Sequence, residues 1–249
     1  MLHISIMFIY VRRFHNIGNL VWNSELDFNK IIYSKFYEAR QIECLICTFI
    51  HEMFIEEPQL CKLIHFQGYP LNAQQYLVSG VPSMHICLSF IPELLRITNT
   101  TSRLFGINLL SHLAKQYSMP KTLDLCRLAI RIGLTLAQSL PESEICDFFC
   151  SSIEAFVRMA SVFPSLSTMT IELLDTLKKI SKYAEGLYNE DRVYFDKSKE
   201  LQRVIDHGFH SMITAVKNDN KLISSWFITV HSSIKLPHWK LMKNGLLFV

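Results

Sequence analysis

Lys121-Thr-Leu-Asp-Leu-Cys-Arg-Leu-Ala-Ile-Arg-Ile-Gly-Leu-Thr-Leu-Ala-Gln-Ser-Leu140 follows a helical period. Leu125, Leu128, Ala129, Ile132, Leu136 and Leu140 recur at the i, i+3, i+4, i+7 spacing that lines one face of a helix. Asp124, Arg127, Arg131, Thr135 and Gln138 form the opposite stripe. Residues 165–187 repeat the design, with Leu166, Met169, Leu173, Leu177, Ile180 and Ala184 on one face. Glu172, Asp175, Lys178, Lys179 and Lys182 cover the other. One wet face and one apolar face mark helices that must stack on neighbours.

Outward from these two segments the chain reads as helix after helix, punctuated by Pro or Gly. The expected helices are 36–55, 59–66, 73–79, 83–96 with a kink at Pro92, 102–117, 121–140, 142–163, 165–187 and 189–217. Gly68-Tyr69-Pro70 must break a helix, because Gly permits positive φ and Pro pushes its predecessor out of the α region. Gly80-Val81-Pro82-Ser83 is a second stop and restart, with Pro82 near the new helix start. Asn99 is placed to cap the helix that follows it. Helices near 20 residues joined by short turns make pairs of about 40 residues, the size of HEAT or armadillo repeats. No self-similar residue pattern accompanies that spacing. The expected class is all-α, an irregular helical-repeat (HEAT/armadillo-like) solenoid fragment.

Composition agrees. The chain has 249 residues, enough for one large domain or two small ones, with 49% hydrophobic and 19% charged residues. Only 8 Gly and 8 Pro argue against a turn-rich barrel or sandwich, and against Gly-rich phosphate-binding folds. The formal charge of +3 is unevenly spread: residues 61–140 hold seven basic and two acidic side chains, whereas 38–57 is acidic. Such a split can set the polarity of an interface, although a solvated helix face is its commoner meaning. Seven cysteines, most of them in apolar helical stretches, read as reduced and buried in an intracellular protein. Residues 1–11 are apolar but too short to span a membrane and lack the plan of a signal peptide. A short buried strand or a poorly predicted gene start is the expectation there. From Lys217 onward the chain is basic, and Trp226-Phe-Ile and Pro237-His-Trp239 suggest a strand, a docking tail or out-of-family sequence.

Candidate chemistry is sparse. Cys44, Cys47 and His51 share a helical face at i, i+3 and i+7, and Cys61 could complete a zinc tetrahedron. A Cys-x-x-Cys inside an apolar helix does not splay its thiols as a zinc turn does, so packed cysteines are the expected reading. A helical metal or redox protein using Cys44, Cys47 and His51 is the alternative. His51-Glu52 begins like a zinc-protease helix, but Ile55 stands where the second ligand must be. Cys146 and Cys150, four apart, are expected to pack beside Phe148 and Phe149. His65, His85 and His112 read as satisfied, partly buried residues. No nucleophile elbow, phosphate loop or acidic metal loop is present, so neither catalytic residues, nor a cofactor, nor a bound metal is expected. Aromatics in the basic block fall at core-type positions, which disfavours direct RNA contact.

Lys62-Leu-Ile-His-Phe-Gln-Gly-Tyr-Pro70, Gly80-Val-Pro-Ser-Met-His-Ile-Cys-Leu-Ser-Phe-Ile-Pro-Glu-Leu-Leu95 and Leu109-Leu-Ser-His-Leu-Ala-Lys-Gln-Tyr117 are long and compositionally odd. With Met119-Pro-Lys-Thr-Leu123, Arg127-Leu-Ala-Ile130 and the lead-in Ile50-His-Glu-Met-Phe-Ile-Glu-Glu-Pro58, they resemble the C-terminal region of the Integrator complex subunit 2 family. The likeness is strongest over 44–140 and fades towards 183. Family members are much longer, so the resemblance implies a C-terminal fragment or a truncated gene model. It divides the chain into an unmatched segment 1–35, a helical scaffold 36–190, and a helix with a basic tail over 191–249. It implies a non-catalytic scaffold subunit of a nuclear assembly that processes small nuclear RNA 3′ ends and attenuates RNA polymerase II transcription. The partners implied are other Integrator subunits and, indirectly, the polymerase machinery, with no membrane. His65, Phe66, Gln67, Tyr69, Met84 and His85 cluster at helix breaks, where loops carry recognition, and are the candidate protein interface. The competing reading has Phe66, Tyr69 and Met84 plugging a gap between helix pairs.

Overall fold

The computed structural model describes residues 27–187 and 192–218, and every regular element among them is helical. The expectations for residues 1–11, for the first part of segment 1–35 and for the tail from 219 lie outside the described residues. The chain divides into two compact units, Met1–Tyr117 and Ser118–Val249.

Between its first and last helices the first unit is built from short pieces. Helix α1 is Asp27–Glu56, α2 is Pro58–Gln67 and α3 is Leu71–Gly80. A 3₁₀ segment, Pro82–Ser89, precedes α4 (Ile91–Arg96) and α5 (Thr100–Gln116). Proline sets the joints: Pro58 and Pro82 stand in the first turn of their elements, where a missing N–H costs nothing. Gly68 takes φ 76°, and its N–H closes α2 onto the carbonyls of Ile64 and His65. Asn99 accepts a hydrogen bond from the Ser102 N–H at 3.1 Å, the expected cap.

One expectation needs correction. Residues 83–96 do not form a single kinked helix. The chain runs as 3₁₀ to Ser89, passes Phe90 and restarts as α4. The Pro92 ring would clash with the carbonyl four residues back, so the α-helix cannot extend through Leu88. With helices of 10, 10 and 6 residues, this unit also departs from the regular 40-residue pairing.

The second unit keeps the long helices: α6 (Pro120–Ser139), α7 (Glu142–Val162), α8 (Ser167–Leu187) and α9 (Arg192–Asn218), with a 3₁₀ turn at Pro164–Leu166. Helix α9 lies against α7 and α8, and α8 also packs on α6. Lys197 reaches Asp147 at 2.8 Å and Lys178 reaches Asp206 at 3.0 Å, two exposed ion pairs linking α9 to its neighbours. Such pairs add little; the burial of Phe149, Phe156, Leu173, Leu177, Leu201 and Ile205 dominates.

Contact with several helices widens the buried faces beyond the expected stripes. In α6 the interior holds Leu125, Cys126, Ala129, Ile130, Gly133, Leu136 and Ala137, while Leu128 and Ile132 are half-buried. In α8, Thr170, Leu174 and Ser181 join Leu173 and Leu177 inside, and Met169 and Ile180 are half-buried. The rotation in α6 has a local cause at Gly133. A Cβ there would lie 2.8 Å from Phe156 Cζ and 3.3 Å from Leu173 Cδ2, so helices meet where a side chain is missing. Gly133→Val should therefore destabilise the second unit by about 1–3 kcal/mol, read from the midpoint of urea unfolding.

Burial pushes the Cys126 thiol up to about 12 from its ordinary 9.0. Below pH 9 both states keep the proton. Above it the unfolded chain sheds a proton that the folded chain holds, so stability falls as pH rises towards 12. Between pH 9 and pH 10 the wild type should lose about 1 kcal/mol more than Cys126→Ala, measured by denaturant unfolding at both pH values.

Candidate functional site

The polar groups of the first unit converge on one ring. Helix α2 places Cys61 and His65 four residues apart, hence on one face, and both are buried. The 3₁₀ segment repeats every three residues, so Met84 and Cys87 point the same way, into the interior. Three side chains from two elements thus meet: Cys61 Sγ lies 3.9 Å from Cys87 Sγ, and Cys87 Sγ lies 3.4 Å from His65 Nε2.

The imidazole is oriented without ambiguity. His65 Nδ1 is 2.7 Å from the Cys61 carbonyl oxygen, which can only accept, so Nδ1 carries the hydrogen. In the neutral ring Nε2 then presents its lone pair to the Cys87 thiol. Aromatic rings close the surroundings. Phe54 and Phe90 are tilted against His65 at 5.8 and 5.5 Å, and Tyr69 meets it edge-on at 5.4 Å. Phe105 stands perpendicular to Tyr69 at 4.9 Å. The Gln74 amide donates to the Phe105 carbonyl at 3.1 Å, tying α3 to α5 behind this ring set.

The cluster polarises its own protons. Hydrogen bonding from Cys87, aided by His65 and opposed by burial, brings the Cys61 thiol down to about 6. Burial, with the Cys61 sulfur beside it, drives Cys87 well up. Burial first, and then the two sulfurs, hold the Tyr69 phenol well above its usual range. The two thiols are thus pushed in opposite directions, Cys61 down and Cys87 up.

The six candidate interface residues separate by exposure. His65 and Met84 are buried within the unit and offer no surface to a partner. Tyr69 is wedged between His65 and Phe105. Phe66 is half-buried, against Phe90 on one side and beneath the Lys62 ammonium at 5.4 Å on the other; Lys62 also pairs with Glu93 at 2.7 Å. Gln67 and His85 are exposed. His85 and Tyr117 share the Pro82 carbonyl, the Tyr117 hydroxyl donating to it at 2.9 Å and His85 Nδ1 lying 3.1 Å away.

Cys44, Cys47 and His51 form no metal-ligating group among the described residues. Cys44 is exposed, and Cys47 is occupied by packing near Gly80. Cys61, the fourth ligand considered for that set, joins His65 and Cys87 instead, within a 4.8 Å group. A sequence signal did exist, since Cys61-x-x-x-His65 is the helical i, i+4 spacing of paired ligands. What was illegible was the return of Cys87, which depends on how the 3₁₀ segment folds back. Cys146 and Cys150 pack as expected, beside a perpendicular Phe148–Phe149 pair at 5.0 Å, with burial pushing Cys150 up to about 11.

Comparison with known proteins adds a family. The model of the family described as Integrator complex subunit 2 matches residues 22–185, starting earlier than the motif resemblance did. Integrator complex subunit 2 of Mus musculus is 42% identical over 135 residues, which is 54% of this chain and 11% of that protein. The Drosophila melanogaster protein is 34% identical over 195 residues, 74% of this chain and 18% of its own length. The Dictyostelium discoideum homolog is 38% identical over 153 residues, again 11% of its length. The chain therefore spans between about a tenth and a fifth of the relatives it matches.

Tyr69 and His85 should respond differently to truncation. Tyr69→Ala empties a half-buried ring position between His65 and Phe105 and is expected to cost about 2–3 kcal/mol. His85→Ala, on the surface, should stay within about 1 kcal/mol of wild type. Paired thermal and denaturant unfolding curves check both.

Proposed function

The chain belongs to the Integrator complex subunit 2 family, and from that membership we propose that it serves as a non-catalytic helical scaffold within the nuclear Integrator complex. In this reading it supports small nuclear RNA 3′-end processing and RNA polymerase II transcription attenuation by holding other Integrator subunits. Its helices would form an irregular HEAT- or armadillo-like stack, with 36–190 as the scaffold. The name shared by its relatives is that of a subunit of a complex rather than of a catalyst.

The carrying observation is on α1. Residues 40–45 are exposed at every position, although Ile42 and Leu45 lie among them. Ile42 is 51% exposed, Leu45 70% and Phe49 64%, and their spacing of three and four aligns them on one face. Farther along, Ile50 and Phe54 are buried in the first unit, so the helix is anchored just beyond an exposed stretch at residues 40–45. A helix with an apolar stripe in water gains stability by covering it, and a contiguous exposed stripe is the usual mark of a protein contact. Glu38, Glu43, Glu52, Glu56 and Glu57 flank it, which favours a partner surface with basic rims. Gln67 and His85 remain as accessible polar candidates. No described helix is long and apolar enough to cross a membrane.

The test is capture from nuclear extract with the tagged chain and identification of bound Integrator subunits by mass. Leu45→Glu combined with Phe49→Glu should lower their recovery at least about tenfold while circular dichroism keeps its helical signal. Unchanged recovery with both charges in place would remove the stripe as the contact surface.

A further inference from the structure

Three soft ligand atoms in one buried pocket are more than a packed core requires. Apolar side chains would fill the space at less cost, since each polar atom taken from water must find a partner. Cys61, His65 and Cys87 are each almost fully buried. We propose that they bind a zinc ion that pins the 3₁₀ segment Pro82–Ser89 to α2.

Distance supports this first. A zinc ion about 2.3 Å from two sulfurs and about 2.0 Å from an imidazole nitrogen, at tetrahedral angles, sets the sulfurs about 3.8 Å apart and each sulfur about 3.5 Å from the nitrogen. The structure has 3.9 Å between the sulfurs and 3.4 Å between Cys87 Sγ and His65 Nε2, while Cys61 Sγ lies 3.8 Å from the ring's other nitrogen, Nδ1, within a group spanning 4.8 Å. The same sulfur separation is far too long for a disulfide, whose bond is about 2.0 Å.

Orientation supports it next. A histidine that binds zinc through one nitrogen commonly donates its other N–H to a carbonyl, which fixes the ring. His65 already does this, through Nδ1 to the Cys61 carbonyl at 2.7 Å, leaving Nε2 for the ion. Charge balance follows: a divalent cation, two thiolates and a neutral imidazole sum to zero, the state a dry aromatic pocket tolerates best. On binding, two zinc–sulfur bonds form, and any proton still held by Cys61 or Cys87 leaves to solvent. Nε2 exchanges its contact with the Cys87 thiol for the metal. The fourth corner takes an oxygen donor, water by default. Because the ligands are buried, the ion enters while the unit folds.

The experiment uses the full chain, produced in zinc-supplemented cells and purified without a metal-affinity tag or chelator. Elemental analysis should find one zinc per folded chain. Cobalt(II) exchanged into the wild type should give tetrahedral d–d bands and thiolate-to-metal charge transfer, and X-ray absorption of the zinc form should show two sulfur neighbours. Cys61→Ser combined with Cys87→Ser should abolish the metal, whereas Cys44→Ser combined with Cys47→Ser should retain it. If the first double variant fails to fold, the wild-type spectra still decide. Folded wild type without transition metal after refolding with zinc, metal with no sulfur neighbour, or metal surviving the loss of Cys61 and Cys87 would each overturn the proposal.

Discussion

His65 sets the terms for the first unit. An imidazole that is 1% exposed must place two nitrogen atoms, and water is not available to either. Nδ1 is satisfied within α2, by the carbonyl one turn back; Nε2 is satisfied only from outside it, by Cys87. That second requirement brings the 3₁₀ segment against α2. Phe54 from α1, Phe90 before α4 and Phe105 from α5 then complete the enclosure. Four helices and the 3₁₀ segment are thus organised around the needs of one polar ring, with the zinc proposal as an extension of the same geometry.

The second unit solves its packing by shape. Gly133 lets α6 approach Phe156 and Leu173 more closely than a side chain would permit without a shift, and Gly208 makes a tight but milder approach of α9 to Ile153, where a Cβ would lie 3.1 Å from Cγ2. Close approach raises dispersion contact along the whole helix pair, which is why missing side chains hold these helices together. Its surface ion pairs, by contrast, lie in high dielectric and orient more than they stabilise. The two units accordingly respond to different insults, the first to loss of its polar ring set and the second to added volume.

Helix-scale features were readable in advance. The breaks at Gly68 and Pro70 and at Pro82, the cap at Asn99, and the amphipathic character of α6 and α8 all follow from local rules, because each depends on residues within one turn. Family membership was readable too, from motifs around residues 62–70 and 80–95, and the family match over 22–185 supports it. The candidate site was less legible. His65 and Met84 were placed at a surface by their position near breaks, yet both are buried, because a break reorients the chain without saying which side of it meets a neighbour. Cys44, Cys47 and His51 share a face on paper, but Cys44 is exposed while Cys47 packs near Gly80, and the face does not gather donors.

By itself the sequence determined that the chain is helical, where most helices begin and end, and to which family it belongs. These rest on short-range sterics, periodicity and motif, all local along the chain. Only the tertiary structure decided that α6 buries the Cys126–Gly133 side of its face and that residues 83–96 split at Phe90. It alone showed residues 40–45 of α1 exposed, and it alone brought Cys87 back to Cys61 and His65. Those outcomes depend on which surfaces compete for burial, and burial is settled between segments far apart in sequence.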